Sequence, residues 1–317
     1  MMTTMLASCA SEGDEPRPDG HGAEIAPTAE LYLTQEYNSR VLAVEGSAFG
    51  ANHSIGVLAY KSTSYSSVNF DDTHAVIKNL SPNKQGSTST YKFSPAKYYP
   101  LDQQYTHFYA YYPYSSSFTI TNNVPYVEFD FDKIGCQDIM WASHTYVENK
   151  IEGQVQPSLG FEHLMCQVRF KFVKAAGMTS DVKITEVKNK YVSGQTSNIY
   201  PYYKLNLIAG TISSSKDGNA VYKVTPTSGS YWLAQTSSSA SEISESMMLA
   251  PISGQYKLKF VVTVDGKESE TGYVTLPTMT KGQSVLVTFN ISPVELTFSV
   301  GGLDTWVSSN TYSATGT

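Results

Sequence analysis

Gln167-Val-Arg-Phe-Lys-Phe-Val173 sets Val168, Phe170 and Phe172 against Gln167, Arg169 and Lys171. Successive side chains leave a pleated strand on opposite sides, so this period of two is what a β-strand with one buried face requires. The same period runs outward in both directions. Downstream it recurs in Lys183 to Lys188, Tyr202 to Leu207, Tyr256 to Val264, Gly272 to Leu276 and Ser284 to Ile291. Upstream it appears in Glu30-Leu-Tyr-Leu-Thr34, Ile55-Gly-Val-Leu-Ala-Tyr60, Tyr126-Val-Glu-Phe-Asp-Phe131 and Leu159-Gly-Phe-Glu-His163. In His107-Phe-Tyr-Ala-Tyr-Tyr-Pro113, Phe108, Ala110 and Tyr112 share one face and Tyr109 and Tyr111 the other. Val264-Asp-Gly-Lys267 reads as a hairpin, because Asp-Gly tolerates the positive φ of a type I′ turn. The stretch from Phe70 to Tyr105 reads as loop, and only Ile134 to Ala142 and Ser237 to Met247 hint at a helical turn.

Composition agrees with strands. The 317 residues include 23 Tyr and 13 Phe but only 16% charged side chains, a balance that suits half-buried pleated surfaces. Evenly spaced short strands with turn punctuation favour packed sandwiches, and the length favours two of them. We place a leader and tether at 1–29, an amino-terminal domain at 30–155 and a carboxyl-terminal domain at 156–317, with the boundary near Ile151 to Pro157. A net charge of −6 with scattered lysines gives no cationic surface for a phosphate backbone, so nucleic acid is not an expected partner.

Leu6-Ala-Ser-Cys9 looks like a bacterial lipobox, in which small residues precede a cysteine whose thiol carries lipid. An export signal needs a basic region and an apolar stretch of ~7–15 residues, more than Met1 to Ser8 provides, so the full signal is expected upstream. The plain alternative is a chance Leu-Ala-Ser-Cys in a leader. Ala10 to Pro27 is polar, rich in Pro and Gly and without apolar periodicity; it reads as a tether that cannot order itself. The other two cysteines, Cys136 and Cys166, lack zinc-site spacing. They are a candidate disulfide in an oxidising compartment, or buried apolar thiols.

Several segments, in order, resemble the fimbrillin family of Bacteroidales: Arg40 ahead of Ala48-Phe49, Ile55-Gly-Val57, Phe108-Tyr-Ala-Tyr-Tyr-Pro113 and Asp138-Ile-Met-Trp-Ala142. Phe161-Glu-His163 leading into Val168-Arg-Phe170, and Trp306 after Leu296 to Val300, extend the likeness across nearly the whole chain. The resemblance implies two transthyretin-like, Greek-key β-sandwich domains in tandem. It also implies export as an outer-membrane lipoprotein and assembly with other fimbrillin subunits into type V cell-surface fimbriae. Stalk, anchor and tip subunits share this body, and contact with host or bacterial surface ligands follows from the same role. In the family mechanism an Arg- or Lys-specific protease removes the first strand, and a neighbour's strand fills the vacated groove. Here the cut falls between Arg40 and Val41 and releases Glu30 to Tyr37, whereas Arg17 precedes Pro18, which obstructs cleavage. An ordinary solvated loop side chain is the plain reading of Arg40. The expected donor strand is Leu296 to Val307, although Gly301-Gly302 interrupts it.

No nucleophile with a base, phosphate loop or ligand cluster emerges, so neither catalysis nor a metal or other cofactor is expected. The histidines at 21, 53, 74, 107, 144 and 163 stand singly, and His163 reads as a packed strand-end residue. Asp71-Asp72 and Asp130 with Asp132 read as solvated carboxylates rather than a glycosidase pair or calcium site. The rival function is a carbohydrate-binding surface lipoprotein. It would use Tyr98-Tyr99, Tyr111-Tyr-Pro-Tyr114, Tyr200-Pro-Tyr-Tyr203, Trp141, Trp232 or Trp306, although most of these are expected in the core.

Overall fold

The computed structural model describes residues 21–31, 49, 53–131, 137–150, 153–190, 199–214 and 220–305. Its named elements are twenty-four strands, β1 to β24; among the described residues no helix is long and apolar enough to cross a membrane.

One six-stranded sheet runs β2 (Thr28–Leu31), β12 (Ser158–His163), β11 (Met140–Glu148), β8 (Tyr105–Tyr112), β3 (Gly56–Ser62), β4 (Ala75–Leu80). Its centre is buried on both faces. Phe108, Ala110 and Tyr112 of β8 enter one core with Val57, Ala59, Ile77 and Phe161, while Tyr109 and Tyr111 enter another with Leu58, Tyr60 and Phe70. That is why the aromatic run of β8 carries no polar alternation. The first core is closed by β1 (His21–Glu24) with β7 (Tyr98–Pro100), and by β5 (Asn83–Lys84) with β6 (Tyr91–Lys92). With β4, the short strands β5, β6 and β7 occupy the stretch from Phe70 to Tyr105 expected as loop.

The second core faces a four-stranded sheet, β16 (Thr211–Ser214), β15 (Tyr202–Asn206), β10 (Val124–Asp130), β9 (Phe118–Thr121). Asn122 and Asn123, both at positive φ, turn β9 into β10. The core continues between two further sheets. One is β19 (Glu242–Leu249), β13 (Cys166–Lys174), β23 (Gln283–Ile291), β24 (Leu296–Thr305). The other is β17 (Lys223–Val224), β14 (Lys183–Lys190), β20 (Lys257–Val264), β21 (Lys267–Glu270), with β18 (Trp232–Leu233) on β14 and β22 (Val274–Thr275) on β20. Val168, Phe170 and Phe172 point inward, and Phe289 packs 5.9 Å from Phe170, 5.7 Å from Phe172 and 5.8 Å from Phe260. Such pairs contribute about 0.5–1.5 kcal/mol each beyond burial. Asp265 and Gly266 hold φ of 48° and 80°, as the Asp-Gly hairpin demands.

Three expectations change. Ser158–His163, grouped with the second set of strands, pairs with β11 of the first sheet, because Leu159 and Phe161 complete the core under β2. The hint of a helix within Ser237 to Met247 gives way to β19, whose residues pair with β13. Finally, β15, from the second half of the sequence, pairs with β10 of the first and carries β16 on its other side.

Candidate functional site

The segment 21–31 lies along the outer edge of the six-stranded sheet. In β2 it runs parallel to β12, with Thr28 opposite Ser158 and Leu31 opposite Phe161; in β1 it runs antiparallel to β7. Main-chain hydrogen bonds hold it: Ile25 N–H to Lys97 O at 2.7 Å, Thr28 N–H to Pro157 O at 3.0 Å, and Ala29 N–H to Ser89 O at 3.0 Å. Pro27 O accepts from Tyr91 N–H at 2.9 Å. Gln156 clasps it with one amide, its Nε2 donating to Glu24 O at 2.9 Å and its Oε1 accepting from Ala26 N–H at 2.8 Å. Tyr99 Oη donates to the same Oε1 at 3.3 Å.

Apart from Ile25, the described buried residues of this segment are small. Gly22, Ile25, Pro27 and Ala29 are buried, and a Cβ at Gly22 would lie 3.2 Å from Tyr99 O and Leu101 Cδ2. Ile25 is its main apolar anchor, sharing a core with Phe49, Tyr91, Tyr99, Leu159 and Phe161. The segment is thus held chiefly by backbone pairing over a large apolar floor supplied by others. Without it, β12 would present an unpaired edge beside exposed aromatics, which is a template for strand addition.

This corrects the reading of 1–29 as tether: 21–29 is ordered, because the slot that buries Ile25 is built by residues far along the chain. The signal was present in the period-two series Ile25, Pro27, Ala29, Leu31. The expected first strand therefore begins at Thr28 rather than Glu30, and Tyr32 to Tyr37, Arg40 and Val41 lie outside the described residues, as does Cys9.

At the other end, β24 pairs with β23 along its length. Gly301-Gly302 does not interrupt it; the ladder absorbs them in a register shift between Val285 and Val287. Leu296, Phe298 and Val300 pack on the core, while Arg169 ties the strand down through Asp304 and holds Glu242 at 2.9 Å. Trp306 and Val307 lie outside the described residues.

Cys166 is a free, buried thiol donating to Thr280 O at 3.2 Å, and burial pushes its pKa up to about 12; Cys136 lies outside the described residues. His163 ends β12, its Nδ1 2.7 Å from Oδ2 of Asp138, which is fully buried. Burial raises the Asp138 pKa against the opposing pull of His163. The pair fastens the end of β12 to residues 137–139. Asp71 caps its own turn, accepting from Thr73 Oγ1, His74 Nδ1 and His74 N–H, and those hydrogen bonds, Thr73 and the His74 side chain foremost, lower its pKa to about 2. Asp72 pairs with Lys78 at 2.5 Å. Among the described residues no three His, Cys, Asp or Glu side chains gather as a metal site.

Of the candidate sugar-stacking clusters, Tyr99, Tyr111, Tyr112 and Tyr203 are buried. Trp141 donates to Leu207 O and Trp232 to Glu245 Oε2, each at 2.8 Å.

Comparison with known proteins gives a family match over most of the chain: the Fimbrillin-like family matches residues 39–312. Solved structures match at low identity. A candidate cell adhesion protein from Bacteroides ovatus shares 16% identity, covering 91% of this chain and 99% of its own, with a TM-score of 0.57. A fimbrial protein from Bacteroides vulgatus shares 15% over 90% of this chain and 99% of its own, with a TM-score of 0.53. A second candidate cell adhesion protein, from Bacteroides uniformis, shares 16% over 90% and 99%, with a TM-score of 0.52. A search of curated proteins gives no match.

Proposed function

Since this chain belongs to the fimbrillin-like family, we propose that it is a non-catalytic structural subunit of a type V cell-surface fimbrium that assembles with other fimbrillin subunits by β-strand exchange and supports adhesion. Export as an outer-membrane lipoprotein through Cys9, and two tandem transthyretin-like sandwiches, belong to the same reading. Cleavage between Arg40 and Val41 frees the segment that contains β1 and β2, and a neighbour's strand takes its place on β12.

The observation that carries the proposal is the position of β2. It is the end strand of the six-stranded sheet, lying on β12 along one side and bridged only by Thr90 and its neighbours on the other, it stands ahead of Arg40 in the sequence, and Ala29 is its one described side chain in the core it covers. A separable filler needs those properties, because its loss must expose a groove without unfolding the sheet beneath.

Limited trypsin digestion tests it. The expected products are a stable core beginning at Val41 and higher oligomers, with Arg40→Ala giving neither. A chain trimmed at Arg40 that never associates, or one degraded throughout, overturns the proposal. Mass spectrometry of the mature amino terminus from native membranes reads lipidation and cleavage together.

A further inference from the structure

Beyond the roof that β9 and β10 place over the six-stranded sheet, one end of that sheet stays open. Cross-strand register puts Tyr146 of β11 opposite His107 of β8 and Glu148 opposite Tyr105, and the loop after β3 brings Tyr65 to the same place. Tyr65 is 60% exposed and Tyr146 45%. Their rings lie 6.1 Å apart and are tilted 40° to each other, while Tyr105 stands near-perpendicular to both, at 6.4 and 5.8 Å. The three rings form an open aromatic corner.

The corner is built rigidly. His107 Nε2 lies 2.8 Å from Ser64 O, a carbonyl that can only accept, so that nitrogen carries the hydrogen. The other nitrogen of His107 then accepts from His144 Nε2, also at 2.8 Å. The two imidazoles lie edge to edge and nearly coplanar, centroids 5.0 Å apart and planes 9° from parallel, with Tyr109 5.0 Å from His144 and Tyr146 in contact with both. Ser64 N–H donates to Ser62 Oγ at 3.0 Å and Ser62 Oγ donates to Ser67 O at 2.8 Å, fixing the turn that carries Tyr65. Side chains held in this way lose little freedom on meeting a ligand.

Among the described residues, the charged groups at the corner pair with one another. Lys61 pairs with Asp102 at 2.5 Å and Lys150 lies 3.6 Å from Glu148. What remains outward is aromatic face bordered by serine hydroxyls. Three rings also fall far short of the ~800 Å² per partner of a specific protein interface.

We propose that Tyr65, Tyr105 and Tyr146 form a subsite for a neutral glycan, in which the apolar face of a pyranose ring stacks on tyrosine and its hydroxyl edge meets the serine rim. A carbohydrate offers that pairing of an apolar face with a polar edge, matched to an aromatic corner whose described charges are paired. This site is separate from β2 and β12, so it stands or falls independently of strand exchange.

The full chain on an array of cellohexaose, laminarihexaose, maltohexaose and mannohexaose tests it. At least one hexaose should bind, and Tyr65→Ser and Tyr146→Ala should each weaken it at least about tenfold, about 1.4 kcal/mol. Tyr273→Ala, at another exposed tyrosine, should leave binding unchanged. Tyr65 sits in a loop, so Tyr65→Ser keeps the test valid if Tyr146→Ala fails to fold. Absence of binding to every hexaose, or equal binding by Tyr65→Ser, overturns the proposal. Self-association of the wild type that Tyr65→Ser abolishes, without glycan binding, overturns it too, by making a second copy the occupant.

Discussion

Gly210 sits at φ 60°, and a Cβ there would lie 2.5 Å from the Trp141 ring. Left-handed backbone costs an L-residue about 1–2 kcal/mol and overpacking about 1–3, so Gly210→Ala should lose about 2–4 kcal/mol in urea denaturation. Glu245 illustrates the opposite economy. It is 2% exposed, yet Thr227 N–H at 2.6 Å, Thr227 Oγ1 at 2.7 Å, Trp232 Nε1 at 2.8 Å and Ser244 Oγ at 2.9 Å all donate to it. Burial raises its pKa, but these donors outweigh burial and hold it below the ordinary carboxyl value. A depressed folded pKa means stabilisation that is full above the unfolded value and lost as pH falls through the folded one. Glu245→Gln should therefore cost about 2–4 kcal/mol at neutral pH, with the difference from wild type shrinking in acid; a constant difference would refute the assignment. The histidine pair titrates in a neighbouring window. Burial lowers both His107 and His144, the latter to about 4, so the unfolded chain takes up protons first. Stability should be full above the ordinary histidine pKa of ~6.5 and decline toward about 4, a slope in thermal midpoint against pH that His144→Gln should flatten.

Among elements, β1 and β2 are the least self-sufficient, and Gln156 is the side chain that spans them. Replacing it with Ala leaves Glu24 O and Ala26 N–H without its amide. Each lost hydrogen bond of this kind costs about 0.5–1.5 kcal/mol. Hydrogen exchange at Ile25 and Ala29 should accelerate roughly tenfold or more, while β13 and β23 keep their protection; uniform acceleration would show that the segment opens only with the whole fold. How far each element was legible follows from where its burying partner lies. The Val168, Phe170, Phe172 alternation could be read directly, because one face meets core and the other meets solvent. The run in β8 gave its faces but not that both are covered. Ile25 looked like tether because Leu159, Phe161 and Tyr99 are distant in sequence. The aromatic corner was invisible for a related reason: Tyr65, Tyr105 and Tyr146 come from three separate segments, brought together by the register of β8 with β11 and by the loop after β3.

At the scale of the molecule, the two halves read from the sequence share more than a linker. The β15–β16 hairpin adds to β10, Trp141 of β11 donates across to Leu207 O, and one apolar cluster runs from Leu58 and Tyr111 through Phe129 to Phe170 and Phe289. A division after His163, where the sheets part, would strand the hairpin without its partner and uncover Val127 and Phe129. Fragments 21–163 and 164–305 should each show strand content but a broad, weakly cooperative urea transition, whereas the intact chain unfolds in one sharp step. Mixing the fragments should restore near-ultraviolet dichroism, because the tyrosines of β8 and β15 regain fixed surroundings. Sharp independent transitions in both fragments would show instead that each half folds alone and the shared sheet is a docking contact. The outcome bears on the proposed strand exchange, in which a subunit pulled along a fibre would resist best if the strand that bonds its neighbour and the strand that receives one belonged to a single cooperative core. The sheet bearing β24 packs into that common cluster, and the six-stranded sheet joins it through Leu58, Tyr60, Tyr109 and Tyr111, while Leu159 and Phe161 of β12 itself face the separate cluster beneath β2.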